Sequence, residues 1–182
     1  MRAIVGLSFI ASVAIIGWVC PATASTLCKA DEVVVFSCPT RTNIASLCAS
    51  KNASDSGGYM QYRFGRKNRL DLSYPPVSAR PADVFASGTA MFSGGGSAWL
   101  SFKRAPFSYT IFTASGRWGP SGSAADAAGV AVQKGGKEFA NFPCRAAPGS
   151  EIGPELFEKL GLKEADPTKR FDIPQAFFPK PD

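Results

Sequence analysis

Three observations predict a mainly β domain, an antiparallel barrel or sandwich of eight to nine short strands with one short C-terminal helix and an extended tail. Short segments rich in β-branched and aromatic residues recur between Val33 and Phe142, separated by clusters of Gly, Pro, Asn and Ser. Apolar residues at helical spacing occur in one place, just after Pro154. Cysteines at 28, 38, 48 and 144 are spread too widely for a metal knuckle and suit a stapled single domain.

The first element is a leader. Met1-Arg2 supplies positive charge, Ala3 to Val19 is an apolar run without a charged residue, and Pro21-Ala22-Thr23-Ala24 ends in an A-x-A pattern. This reads as a secretory signal peptide over residues 1–24, cut between Ala24 and Ser25. The run falls short of the roughly 20 residues that a spanning helix needs, so no transmembrane segment is expected once it is removed. Cys20 closes the run behind Gly17-Trp18-Val19 and is expected to leave with the leader. The domain from Ser25 to Asp182 is then periplasmic or secreted, in an oxidising space, and large enough to bury a real core.

The strands follow in order. Glu32 to Cys38 is β-branched and aromatic and is broken by Pro39; Ile44 to Ala49 pairs with it as a hairpin. In Gly58 to Phe64, Met60, Tyr62 and Phe64 fall on one face and Tyr59, Gln61 and Arg63 on the other. Gly65 to Asn68 is a turn, and Arg69 to Tyr74 alternates after it. Pro75 to Pro81 is a proline-punctuated connection. Strands resume at Gly88–Phe92, Ala98–Phe102 and Phe107–Thr113, with Pro106 in a turn, and Val130–Val132 and Glu138–Ala140 form a last hairpin around Gly135-Gly136. Pro154 suits a first helical position, Glu155 and Lys159 are an i,i+4 pair and Gly161 is a stop, which gives a helix over about 154–160. The tail, about 162–182, is polar and proline-rich but carries Phe171, Phe177 and Phe178, and is expected to lie extended over the domain.

Pairing follows from the first hairpin. If Val33–Cys38 and Ile44–Ala49 form a ladder, Cys48 lies near Val34, beside the chain arriving from Cys28, while Cys38 sits at the far end. The expected disulfides are Cys28–Cys48 and Cys38–Cys144, the latter closing a loop worth about 4–5 kcal/mol in the chain-entropy model.

Composition narrows function. The chain contains no histidine, which removes Ser-His-Asp and Cys-His nucleophiles and His-liganded zinc. No metal and no cofactor is expected. Loss of Arg2 takes the net charge from +6 to +5, a modest excess that suits anionic glycans or lipids better than nucleic acid. A catalytic reading is left with carboxylates such as Asp31, Glu32, Asp71 and Glu138, or with Ser54, Ser56 or Ser93 beside Lys134, and the sequence brings no pair of these into one cleft. A carboxylate-dependent glycan-cleaving enzyme is therefore the weakest alternative.

Binding has better candidates. Ser93-Gly94-Gly95-Gly96 is costly in backbone entropy and implies a tight turn or the close approach of another group. Trp99 is out of phase with Leu100 and Phe102, and Trp118 lies in a loop of Gly, Arg and Pro; exposed indoles stack on sugars or anchor interfaces. Arg63, Arg66, Lys67 and Arg69 surround one hairpin tip as a possible anion patch. The expected activity is non-enzymatic binding of an envelope component, a glycan or a protein, through Ser93–Gly96, Trp99 and Trp118.

Two resemblances accompany this reading. Val33 to Cys38, Ser46-Leu47-Cys48-Ala49-Ser50 and Gly58 to Gly65 resemble a family of exported bacterial β-rich proteins, a likeness that implies no mechanism. Phe36-Ser37-Cys38, Cys144, the Ser54-Asp55-Ser56-Gly57 loop with Tyr59, and Lys134-Gly135 are similar in order to the C-type lysozyme inhibitor family. That likeness implies a small periplasmic barrel whose two loops enter a target's cleft, an inhibitor or toxin-immunity role. Tyr59 comes one residue early for that pattern, Lys134 lies far along the chain, and Glu138 stands where the second motif has Ala.

Overall fold

Two antiparallel stretches of chain, each closed by short turns, build two facing sheets. In the computed structural model the described residues are 25–92, 94–165 and 171–178; the expected leader over residues 1–24, including Ala24 of the expected cleavage site, lies outside them, as does Ser93. The first sheet comprises β1 (Glu32–Pro39), β2 (Ile44–Ser50), β3 (Met60–Arg66) and β4 (Arg69–Tyr74). A four-residue helix, α1 (Pro81–Val84), leads into the second: β5 (Ala86–Phe92), β6 (Gly95–Arg104), β7 (Phe107–Gly116), β8 (Ala125–Lys134) and β9 (Lys137–Pro143). A two-residue strand, β10 (Gly149–Ser150), adds to the free edge of β1. Helix α2 (Pro154–Lys159) follows, and β11 (Lys163–Glu164) runs parallel to β5. The expected mainly β class is thus the observed one. Strands β6, β8 and β9 extend beyond their expected bounds at both ends, β4 matches its expected bounds, β3 is shifted to begin at Met60, and α1 is added where proline supplies a first helical position.

The expected register of the first hairpin is present: Val34 faces Cys48 across β1 and β2. Both expected disulfides follow, Cys28–Cys48 with Cα atoms 5.2 Å apart and Cys38–Cys144 at 5.3 Å. A bulge between Val34 and Phe36 breaks the alternation of β1, so Val35 and Phe36 are both buried.

The core lies between the sheets. Val35, Phe36, Leu47, Met60 and Tyr62 of the first meet Leu100, Phe102, Ile111, Val130 and Val132 of the second, and Leu156, Phe157 and Leu160 of α2 close one side. Tyr62 lies against Phe102 and Tyr109 on β6 and β7, whereas Phe64, two residues on, lies against Phe142 on β9. The strands of the first sheet therefore cross those of the second at a steep angle instead of running along them. Burial of Tyr62 raises its phenol pKa well above the ordinary value.

Each sheet has a second, outward face, and a segment at one end of the described residues covers each one. Residues 25–29 lie on the first sheet and Phe171–Phe178 on the second. No helix among the described residues is long and apolar enough to cross a membrane.

Candidate functional site

The glycine run forms the turn between β5 and β6, with Phe92 opposite Gly95. Gly94 adopts φ 80°, in the left-handed region, and a Cβ there would press on the Arg117 side chain. At Gly95 a Cβ would collide with the carbonyl oxygen of Ser115, so glycine lets β6 begin hard against β7. The run is thus built first for backbone approach, and its two strands present what lies beside it.

On the outer face of the second sheet the strands carry small residues, and the rings sit in the space this leaves. A Cβ on Gly88 would strike the Trp99 indole, one on Gly116 the Trp118 ring, and one on Gly129 would lie 2.6 Å from the Phe177 ring. Ala90, Ala114, Ala127 and Ala131 complete the floor. Trp99 does point outward, as its phase predicts, but it is only 5% exposed. The C-terminal segment covers it, with the Phe171 ring 5.8 Å from Trp99 and 5.2 Å from Phe112, and the Phe177 ring edge-on to Phe112 at 4.8 Å. Trp99 is therefore a support beneath the site, not an exposed binding ring.

Trp118 stands differently. It is half-buried, between the rings of Phe92 at 5.4 Å and Phe178 at 5.1 Å. These three rings, together with Phe171, Ile173, Ala90, Ser97 and Asp172, line an open groove of about 290 Å³. One wall is the end of the β5–β6 hairpin, and the other is the C-terminal segment. Of the residues singled out from sequence, the fold brings Trp118 into this groove; Gly94–Gly96 do not line it, although Gly95 pairs with Phe92, which does. The sequence reading missed Phe92 and Phe178, whose signal was an aromatic directly before the glycine run and a second in an otherwise polar tail. Trp118 Nε1 is buried with no hydrogen-bond acceptor among the described residues.

The first sheet's outer face resolves the remaining polar candidates. Arg63 is not part of an anion patch: it is 5% exposed and forms a two-pronged ion pair with Glu32, Nη1 to Oε2 and Nη2 to Oε1, each 2.6 Å. Its Nε donates to Gln61 Oε1 and its Nη1 also to the Leu27 carbonyl. Glu32 further accepts from the Tyr59 hydroxyl at 2.8 Å and the Lys29 amide at 2.6 Å. Burial alone would raise the Glu32 carboxyl, but the bonds from Arg63, the Lys29 amide and Tyr59 outweigh it and hold the pKa at about 2. The same bond to Glu32, with burial, raises the Tyr59 phenol. Arg66, Lys67 and Arg69 remain exposed at the hairpin tip, where Arg69 pairs with Asp71 at 3.3 Å.

Among the described residues, none of the acids or nucleophiles named from sequence lines the groove. Glu32 is committed to Arg63, Asp71 to Arg69 and Asn43, and Glu138 accepts from Asn141 Nδ2 at 2.8 Å. Ser54 bonds to Ser56 within its own loop, which packs through Asp55 beside Gly161. Lys134 lies over the Phe107 ring at 5.8 Å. Cys28, Glu32 and Cys48 bring potential ligand atoms within 4.8 Å of one another, but both sulfurs are in a disulfide and offer no thiolate.

Comparison with known proteins finds no matching family model, no matching curated sequence and no matching solved structure. The site is therefore read from its own chemistry.

Proposed function

We propose that this chain is an exported, non-enzymatic binding domain that takes a component of the cell envelope, a glycan in first place, in the groove between the β5–β6 hairpin and the C-terminal segment. A signal peptide ending at Ala24 would deliver it to the periplasm or beyond, and the two disulfides suit such an oxidising space. One observation carries the reading: Phe92, Trp118 and Phe178 cluster around an open groove that also contains Ser97 and Asp172. Ring faces stack on the apolar faces of sugars, and a hydroxyl and a carboxylate beside them take sugar hydroxyls. The site has the composition of a recognition surface, and nothing in the reading requires a bond to be broken.

Binding of envelope polysaccharide fragments, followed by tryptophan fluorescence and calorimetry, tests this. Saturable binding that is lost in Trp118→Ala and weakened in Asp172→Asn is expected. Unchanged binding in both variants, or binding of proteins but no saccharide in an envelope pull-down, would remove the glycan assignment.

A further inference from the structure

The end of the second sheet away from the groove carries a row of positive charge. The register places Arg104 opposite Phe107, Phe107 opposite Lys134, and Lys134 opposite Lys137. Directly opposed residues share a face, so these four side chains, from four adjacent strands, stand at one level across about 14 Å of sheet. Lys103 lies one position further in, on the other face of β6. All four cations are exposed, and none forms an ion pair among the described residues. The neighbouring carboxylate, Glu138, is held by Asn141.

An exposed aromatic pair sits in the same place. The β8–β9 register shifts between Val132 and Gln133, leaving Phe139 unpaired between Glu138 and Ala140. Phe139 is 59% exposed and its ring rests on Phe107 at 4.9 Å. The turns at this end, Ala105-Pro106 and Gly135-Gly136, are two residues long and bring the row to the tip of the domain.

We propose that this tip is a contact surface for a lipid bilayer bearing anionic headgroups. Arg104, Lys134 and Lys137 meet the phosphates, and Phe139 enters the interfacial layer. Charge alone would serve a soluble polyanion equally well; the exposed ring amid the cations favours a surface with an apolar layer beneath its charge. Since β6 runs seven residues from Ser97 in the groove to Arg104, about 23 Å of strand separates the contact from the groove, and the groove stays clear of the membrane. This inference does not depend on what the groove binds.

The test is co-sedimentation of the oxidised protein with vesicles of phosphatidylcholine alone or with about one-third phosphatidylglycerol. Binding is expected for the anionic vesicles only, falling steeply between about 0.05 and 0.5 M salt. Each cation lost near the surface is expected to weaken partitioning about fivefold, so K134E/K137E should lose at least about 20-fold with its near-ultraviolet circular dichroism unchanged. Phe139→Ser should weaken binding several-fold while leaving the salt dependence in place. Equal binding to neutral vesicles, no binding to anionic ones, or an unaffected K134E/K137E variant would overturn the proposal. So would tight binding to soluble polyphosphate, sensitive to K134E/K137E, combined with vesicle binding that ignores Phe139→Ser.

Discussion

On the outer face of the first sheet, residues 25–29 are held by the Cys28–Cys48 disulfide, by Arg63 donating to the Leu27 carbonyl and by the Leu27 amide donating to Ser46 Oγ. On the outer face of the second, Phe171–Phe178 is held chiefly by rings on rings and on the glycine and alanine floor beneath them. One segment is fastened by directional bonds around a buried charge, the other by area. The first kind of attachment depends on pH and redox state and gives way only with the sheet it covers. The second can detach over a short stretch without exposing a charge. The groove belongs to the second, because one of its walls is the detachable segment.

The largest effect is expected on the polar side. Arg63→Ala leaves the Glu32 carboxylate buried and unpaired, and should lower the unfolding free energy by about 3–5 kcal/mol in urea titrations. Adding Glu32→Gln should recover part of that loss; a double variant as unstable as the sum of the single ones would mean that the two groups are not coupled. Next comes the covalent link. Replacing Cys28 and Cys48 by Ala opens a loop of 20 residues, which the chain-entropy model puts at about 3 kcal/mol.

Acid acts on the same face. The folded Glu32 pKa, about 2, lies below its ordinary 4.5, so the folded state releases this proton more readily than the unfolded chain. Its contribution is fully present above about pH 5 and is lost as pH falls toward 2, about 3 kcal/mol in all. Urea midpoints that fall across this window in the natural protein, and much less in Glu32→Gln, would agree; equal acid sensitivity would not.

Smaller changes are expected on the aromatic side. Phe177→Ala should cost about 1–2 kcal/mol, less than the 3–5 kcal/mol typical of a core Phe, because the segment can release locally and cap the loss. Its signature is a red-shifted Trp99 fluorescence in an otherwise folded protein. Trp118→Ala should change stability by less than about 1 kcal/mol, since the ring is half-buried, while abolishing ligand binding.

Much of this architecture was legible in the sequence where local pattern decides it. The alternation of the first hairpin put Cys48 opposite Val34 and so selected both disulfides. The phase of Trp99 against Leu100 and Phe102 gave its outward direction. What covers an outward face is a different question, because period 2 separates the faces of a strand without saying which one meets water. Arg63 illustrates this: its face was evident, but the chain before Glu32 returns over that face, and the available clue was a carboxylate at the head of a β-branched run. Trp99 repeats the lesson on the other sheet, where Phe171, Ile173 and Phe177 come from a tail without periodicity. The glycines in the strands were the missed signal: Gly88, Gly116 and Gly129 mark where a ring needs space, and with them the aromatic cover could have been anticipated.

The contrast between the two coverings is most directly measured by native-state hydrogen exchange. The amides of Phe177 and Phe178, bonded to Pro174 and Gln175, should exchange through local opening, with free energies well below that of global unfolding and insensitive to low denaturant. The amides of Leu27 and Lys29, bonded to Ser46 and Glu32, should exchange only with the whole domain. Equal protection of both segments, or a C-terminal segment more protected than residues 25–29, would contradict this account.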